Sequence, residues 1–263
     1  MCAHPFSCCG AALGRRQVLL GLGSLAVAPM LAGCEDAARV LVSSDEMERL
    51  GRDAWAQMRA TTPLSTDPDL QRTAGTVATR LLRAKNVDPA SWEIAVFGSD
   101  QVNAFVLPGR RIGIFEGMMR VARSEGELAA VIGHEIGHLD ANHPEERVAA
   151  QVASDWGVEL ATRALDLADV PYGREIAAAL GLGIEYGIAR PYGRRQELEA
   201  DRLGMSMMER AGYDPRDAVR FWQRMDALPG SRLPGVLSTH PAPRARIEEL
   251  EGMVLQAADR TAR

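Results

Sequence analysis

The five residues His134-Glu135-Ile136-Gly137-His138 constrain this chain more than any other stretch, because they demand a helix and something for that helix to face. Residues four apart stack on one helical face. His134 and His138 therefore aim two imidazoles at one point, as a helix does when it supplies two zinc ligands. Glu135, rotated by about 100°, reaches a water held there. Ser124 and Glu127 form a capping box that starts this helix. Leu128, Val131, Ile132 and Ile136 recur at helical spacing and give it a buried face. Pro144 is expected to end it, with the preceding His143 disfavoured from α conformation and serving as a structural residue at the helix end. Gly133 and Gly137 each cost about 1 kcal/mol relative to alanine inside a helix, so they mark a flat strip where another backbone comes close.

Two histidines leave zinc short of ligands. A third histidine on the pattern H-E-x-x-H-x-x-G-x-x-H fails on spacing, since Ala141 stands where glycine is needed and His143 falls one residue early. Glu197 is the better candidate. In Gln196-Glu197-Leu198-Glu199-Ala200-Asp201, Glu197 and Asp201 are again four apart, so a second helix can present both carboxylates on one face. One binds zinc, and the other accepts the free ring N–H of a ligand histidine. Glu199 points elsewhere on that helix and is expected in solvent.

His134–His138 followed by Glu197-x-x-Ala200-Asp201, with Ser238-Thr239-His240-Pro241 and Arg246 further on, resembles the HtpX and CAAX-prenyl-endopeptidase family of gluzincin zinc metallopeptidases. The likeness runs over residues 43–250 and is to the bacterial periplasmic members in particular. Asn103-Ala104-Phe105-Val106-Leu107-Pro108-Gly109 is similar to the family's strand before the active-site helix. The resemblance implies an α+β fold: a mainly helical zincin-type metalloprotease domain with a small, mostly antiparallel sheet whose edge strand borders the active site. It implies one zinc ion per chain on His134, His138 and Glu197, with Asp201 behind them. Two departures stand out. Gly193 occupies a place where relatives usually carry serine, and the membrane spans of many members are missing.

The N-terminus supplies an alternative to those spans. Arg15-Arg16 precede a mildly apolar run over 18–32 that ends in Leu31-Ala32-Gly33-Cys34. A basic start, an apolar run and small residues make a signal peptide, here with a lipobox whose cysteine, Cys34, is lipidated and begins the mature chain. The Arg-Arg context suits twin-arginine export as well as the general secretory route. Cys2, Cys8, Cys9 and Cys34 are the only cysteines, so none is left for a disulfide beyond the leader. Loss of residues 1–33 moves the formal net charge from −5 to −7, because they carry Arg15 and Arg16 and no acid. An acidic chain without a basic cluster argues against nucleic acid as a partner. The expected organisation is a leader (1–33), a lipidated tether (34–42) and one metallopeptidase domain (43–263). Within the last, helices are expected at 45–58, 69–84, 147–167, 174–188 and 216–228 and from about 243. Strands are expected at 92–97, 102–107 and 111–115, with Pro108-Gly109-Arg110 a tight turn between the last two. Met205, Met207 and Met208 are read as core filler.

The chemistry expected of such a site is peptide hydrolysis. Three protein ligands leave zinc a place for water, whose pKa it lowers to about 7, and Glu135 takes that water's proton and passes it to the leaving nitrogen. The oxyanion donor is His240 or Arg246. Should His240, on a loop stiffened by Pro241 and Pro243, latch the resting zinc, the donor is Arg246, whose charge can reach the oxyanion or a carboxylate near the metal. An extended substrate would pair with the edge strand at Asn103, Ala104 and Phe105. That mode reads little side-chain information and suits unfolded or misassembled envelope proteins as substrates, met at the periplasmic face of a membrane to which the lipid on Cys34 holds the chain. Glu35 after the lipidated cysteine favours the outer membrane. The competing expectation is a periplasmic chaperone or assembly factor with a latched, rarely active zinc site.

Overall fold

The computed structural model describes residues 43–148, 192–228, 240 and 243–261. The leader, the tether with Cys34, the helix expected at 174–188 and nearly all of that expected at 147–167 lie outside the described residues. Ser43 caps α1 (Ser44–Thr61), its hydroxyl accepting from the Glu46 N–H at 3.2 Å, and Met47, Gly51 and Trp55 form its buried edge. Asp67 caps α2 (Pro68–Ala84), accepting from the Asp69 N–H at 2.9 Å, and Pro68 takes a first-turn place where no helical bond needs its N–H. Ala74, Val77, Ala78, Leu81 and Leu82 make its core face.

Three strands follow: β1 (Glu93–Phe97), β2 (Ala104–Leu107) and β3 (Arg111–Phe115), in the order β1-β3-β2. Gly109 and Arg110 turn the chain between β2 and β3 at φ of 78° and 65°. β2 and β3 pair antiparallel, whereas β1 and β3 pair parallel. The sheet is thus mixed, not mostly antiparallel. The segment 98–103 carries the chain past the place of β3, lays down β2 first, and the hairpin return then brings β3 in beside β1 with the same direction.

One sheet edge is closed. The Gln71 side chain donates to the Val96 carbonyl at 2.8 Å and accepts from the Val96 N–H at 2.9 Å, acting as a piece of strand beside β1. Just before β2, the Asn103 carbonyl accepts from the Phe115 N–H at 3.0 Å. The antiparallel alternation then turns the N–H and C=O of Ala104 and Val106 away from β3, to the outer side. One face of the sheet carries Trp55, Phe97, Phe105 and Phe115 in edge-on and tilted contact. Val96, Ala104, Val106, Ile112 and Ile114 on the other face join the main core.

After the short α3 (Glu116–Val121) comes α4 (Glu125–Asp140), the helix with the two histidines. The Ser124 hydroxyl accepts from the Glu127 N–H at 3.1 Å, and the Glu127 carboxylate reaches back to the Arg123 N–H at 2.8 Å while also pairing with Arg224. Every residue from Gly126 to His138 is buried, so α4 is enclosed on all sides, its polar Glu127, His134, Glu135 and His138 included. It ends at Asp140, earlier than the proline predicts. Asn142 takes a left-handed φ of 57° and breaks the helix, and Pro144 sits in the first turn of a new helical stretch that begins at 143.

α5 (Arg194–Arg210) starts at Gly193, which has no hydroxyl to offer; the Gln196 side chain accepts from the Gly193 N–H at 2.9 Å instead. It packs along α4 through small residues. A Cβ at Gly137 would lie 2.6 Å from the Ala200 carbonyl oxygen, and one at Gly204 would lie 2.8 Å from the carbonyl carbon of Gly133. The flat strip expected at Gly133 and Gly137 thus meets Ala200 and Gly204. Met205, Met207 and Met208 are buried in the core on this helix. Asp214 accepts from the Arg216 N–H at 2.9 Å to start α6 (Arg216–Ala227), and α7 (Pro243–Thr261) lies against α6 and α5. Among the described residues no helix is long and apolar enough to cross a membrane.

Candidate metal centre

α4, α5 and His240 bring four ligand atoms to one point. His134 Nε2 lies 3.0 Å from His138 Nε2, and His138 Nε2 lies 3.5 Å from Glu197 Oε1. His240 Nδ1 completes the group, 3.3 Å from His134 Nε2 and 3.0 Å from Glu197 Oε1. All four residues are buried, and their atoms fall within 4.8 Å of one another. Ligands held about 2.0–2.1 Å from a tetrahedral zinc stand roughly 3.3–3.4 Å apart, so the spacing fits that ion. The chemistry of the donor set fits as well, since imidazole nitrogens and a carboxylate converge.

The field of the site favours a positive charge. Burial and the Arg246 charge push His134 down, yet the Asp201 and Glu197 carboxylates outweigh both and lift it to about 9. Burial, reinforced by the charge on His134, pushes His138 down to about 2, which keeps its ring neutral and free to ligate. Burial raises Glu197, but its hydrogen bonds to His134, His138 and His240 override this and hold it well below the usual carboxylate range. Asp201 is likewise opposed by burial and carried down to about 2 by Arg246.

Asp201 Oδ1 sits 2.9 Å from His134 Nδ1 and accepts its ring proton. Arg246 is fully buried, donates to Asp201 from Nε at 2.7 Å and from an Nη at 2.5 Å, and pairs with Glu197 at 2.8 Å. Its guanidinium lies 3.5 Å over the Trp222 ring. Of the two reaches open to Arg246, an oxyanion or a carboxylate near the metal, the contacts seen are with the carboxylates of Asp201 and Glu197. Glu135 is buried on the other side, with Oε1 3.6 Å from His240 Nε2. A small, mostly apolar pocket lies next to it, lined in part by Ala104, Met118, Phe221 and Trp222, which places the middle of the expected substrate strand beside the ligands. Asn103, just before β2, and Phe105 on it flank Ala104 without lining that pocket. Cys34 lies outside the described residues.

Three contacts were not legible beforehand. His143 is buried with Nδ1 2.9 Å from His138 Nδ1. Tyr192 stacks on His138 with centroids 3.9 Å apart, and Trp222 lies under Arg246. For His143 the only signal is a second histidine five places past His138, off any helical spacing; for Tyr192 and Trp222 there is none. Glu199, expected in solvent, is about half exposed, at 47%, and its carboxylate still approaches His143 Nε2 at 3.6 Å.

A histidine pair on one helix, a glutamate on the next and an acidic residue beside the ligands define a metallopeptidase. Residues 65–254 match the model of Peptidase family M48, and the chain belongs to that family. It is similar to the mitochondrial metalloendopeptidase OMA1 of Schizosaccharomyces pombe, 32% identical over 221 residues that cover 82% of this chain and 63% of that protein. It is similar also to the beta-barrel assembly-enhancing protease of Yersinia pestis, 28% identical over 86% of this chain and 48% of that protein. The corresponding Escherichia coli K12 protein is 27% identical over 77% of this chain and 44% of its own length. The chain therefore spans less than two thirds of each of these relatives.

Proposed function

We propose that the chain is a zinc-dependent endopeptidase of the bacterial cell envelope that hydrolyses unfolded or misassembled envelope proteins. The observation that carries this is the convergence of His134, His138 and Glu197 on one point with Glu135 beside it. Bound there, zinc supplies Lewis acidity, lowering the pKa of water to about 7 and polarising a carbonyl. Glu135 accepts the proton of the attacking water and returns it to the leaving nitrogen. The outward N–H and C=O groups of Ala104 and Val106 align an extended substrate across the site as an added strand. Arg246 holds Asp201 and Glu197 in place, and Asp201 fixes the tautomer of His134.

The Leu31-Ala32-Gly33-Cys34 lipobox supports lipid anchoring through Cys34 at the periplasmic face, and Glu35 after it favours the outer membrane. Similarity to the beta-barrel assembly-enhancing proteases of Yersinia pestis and Escherichia coli supports an envelope client.

A second reading rests on His240, whose Nδ1 stands among the ligand atoms. With that imidazole in the fourth position the site is latched, and the chain acts mainly as a chaperone or assembly factor that cleaves rarely. Turnover of casein by zinc-loaded wild type, Glu135→Gln and His240→Ala separates the readings. Protease function predicts turnover by wild type and none by Glu135→Gln. Near-wild-type turnover by Glu135→Gln overturns the mechanism, and a wild type that suppresses client aggregation while only His240→Ala cleaves supports the latched reading.

A further inference from the structure

We infer that His143 is the positioning residue of the second histidine ligand, His138, and that Glu199 orients His143 in turn. The inference rests on the metal-centre reading above. His138 turns Nε2 toward the ligand cluster, 3.0 Å from His134 Nε2, so its ring proton belongs on Nδ1. That nitrogen lies 2.9 Å from His143 Nδ1. Of two ring nitrogens in contact one donates and the other accepts, so His143 Nδ1 accepts and the His143 proton stands on Nε2. Nε2 is the atom that faces Glu199, at 3.6 Å. Two ring protons thus point outward in sequence from the ligand cluster to a carboxylate at the surface.

The arrangement is the counterpart of the one behind His134, with a different construction. His134 is backed directly by a buried carboxylate that Arg246 clamps. His138 is backed by a neutral ring, itself backed by a carboxylate that is 47% exposed. The helix break makes this possible. Residues five apart on a continuous helix do not share a face, but the left-handed turn at Asn142 brings His143 back to the edge of His138. Tyr192 covers the face of the same ring at 22° and 3.9 Å, so His143 fixes the edge and the tautomer while the tyrosine fixes the plane. His143 is accordingly more than the helix-end residue that its place beside Pro144 implies.

Zinc retention against a competing chelator tests this in His143→Leu, His143→Asn and Glu199→Ala. Leucine removes the acceptor and keeps an apolar fill; asparagine returns an oxygen near the position of Nδ1. Loss of an outer partner weakens metal binding by about 10- to 100-fold. That range is expected for His143→Leu, with unchanged unfolding of the metal-free protein, most of the retention restored in His143→Asn, and a smaller loss in Glu199→Ala. A packing role alone would instead lower the stability of the metal-free protein and leave His143→Asn no better than His143→Leu. That pattern, or wild-type retention in either His143→Leu or Glu199→Ala, overturns the inference. Absence of zinc from the wild type would overturn the metal centre itself, so the two failures are distinguishable.

Discussion

Gly204→Ala should damage the metal site although it changes no ligand and raises helix propensity. Gly204 lies inside α5, where alanine in place of glycine gains about 1 kcal/mol when nothing else intervenes. Here a Cβ would stand 2.8 Å from the Gly133 carbonyl carbon and 2.9 Å from the His134 nitrogen, both backbone atoms of α4. Relief to an ordinary contact of 3.4 Å requires the helices to part by about 0.6 Å at the crossing. His134 and Glu197 ride on opposite sides of it, and metal bonds tolerate only about 0.2 Å. Overpacking of this kind costs about 1–3 kcal/mol, so the net loss of stability is roughly 0–2 kcal/mol once propensity is counted. Zinc affinity should fall further, by about 10- to 100-fold, the range seen when the supports of a ligand are disturbed. Gly75→Ala in α2 is the control, since nothing lies within 4 Å of its new Cβ, and it should stabilise by about 0.5–1 kcal/mol with zinc binding intact. Denaturant unfolding and competition titration with a chelator read both quantities. A Gly204→Ala protein that is stabilised like Gly75→Ala and binds zinc like wild type would refute the close-packed crossing.

Arg246→Met leaves Asp201 and Glu197 buried without their cation and should destabilise the fold by about 3–5 kcal/mol in denaturant titration; a loss below about 1 kcal/mol would return Arg246 to the open side of the site. If His240 latches the resting site, His240→Ala should raise peptide cleavage; a fall in kcat of about 10²–10³-fold with little change in KM would make His240 a transition-state donor instead. Cys34→Ala should abolish metabolic lipid labelling, and labelling that persists would dispose of the lipobox.

Much of the site is visible in the sequence because helices impose a spacing. His134 and His138, and Glu197 and Asp201, are pairs four apart on α4 and α5, and the structure brings both pairs to one place. Gly133 and Gly137 announced a close neighbour but not its identity. The matching pair, Ala200 and Gly204, is legible only once the two helices are known to cross. Contacts set by loops and by long-range packing were hidden. The turn at Asn142 decides where His143 goes, and no local pattern outranked the proline two residues on. For Arg246 the sequence leaves both the oxyanion and a carboxylate near the metal open, because it gives the charge of a side chain and not the side of the metal it comes from. The parallel pairing of β1 with β3 was missed for a similar reason: hairpin signals are local, while the crossover at 98–103 is settled by which strand the hairpin packs against.

Zinc K-edge absorption on purified mature protein, with metal content measured alongside, bears on whether the four converging atoms are a zinc site. One zinc per chain is predicted, held by nitrogen and oxygen ligands at about 2.0–2.1 Å, kept in Glu135→Gln and lost in His134→Ala and Glu197→Ala. Stoichiometric zinc in the His134→Ala or Glu197→Ala protein, or sulfur in its first coordination shell at about 2.3 Å, would contradict it.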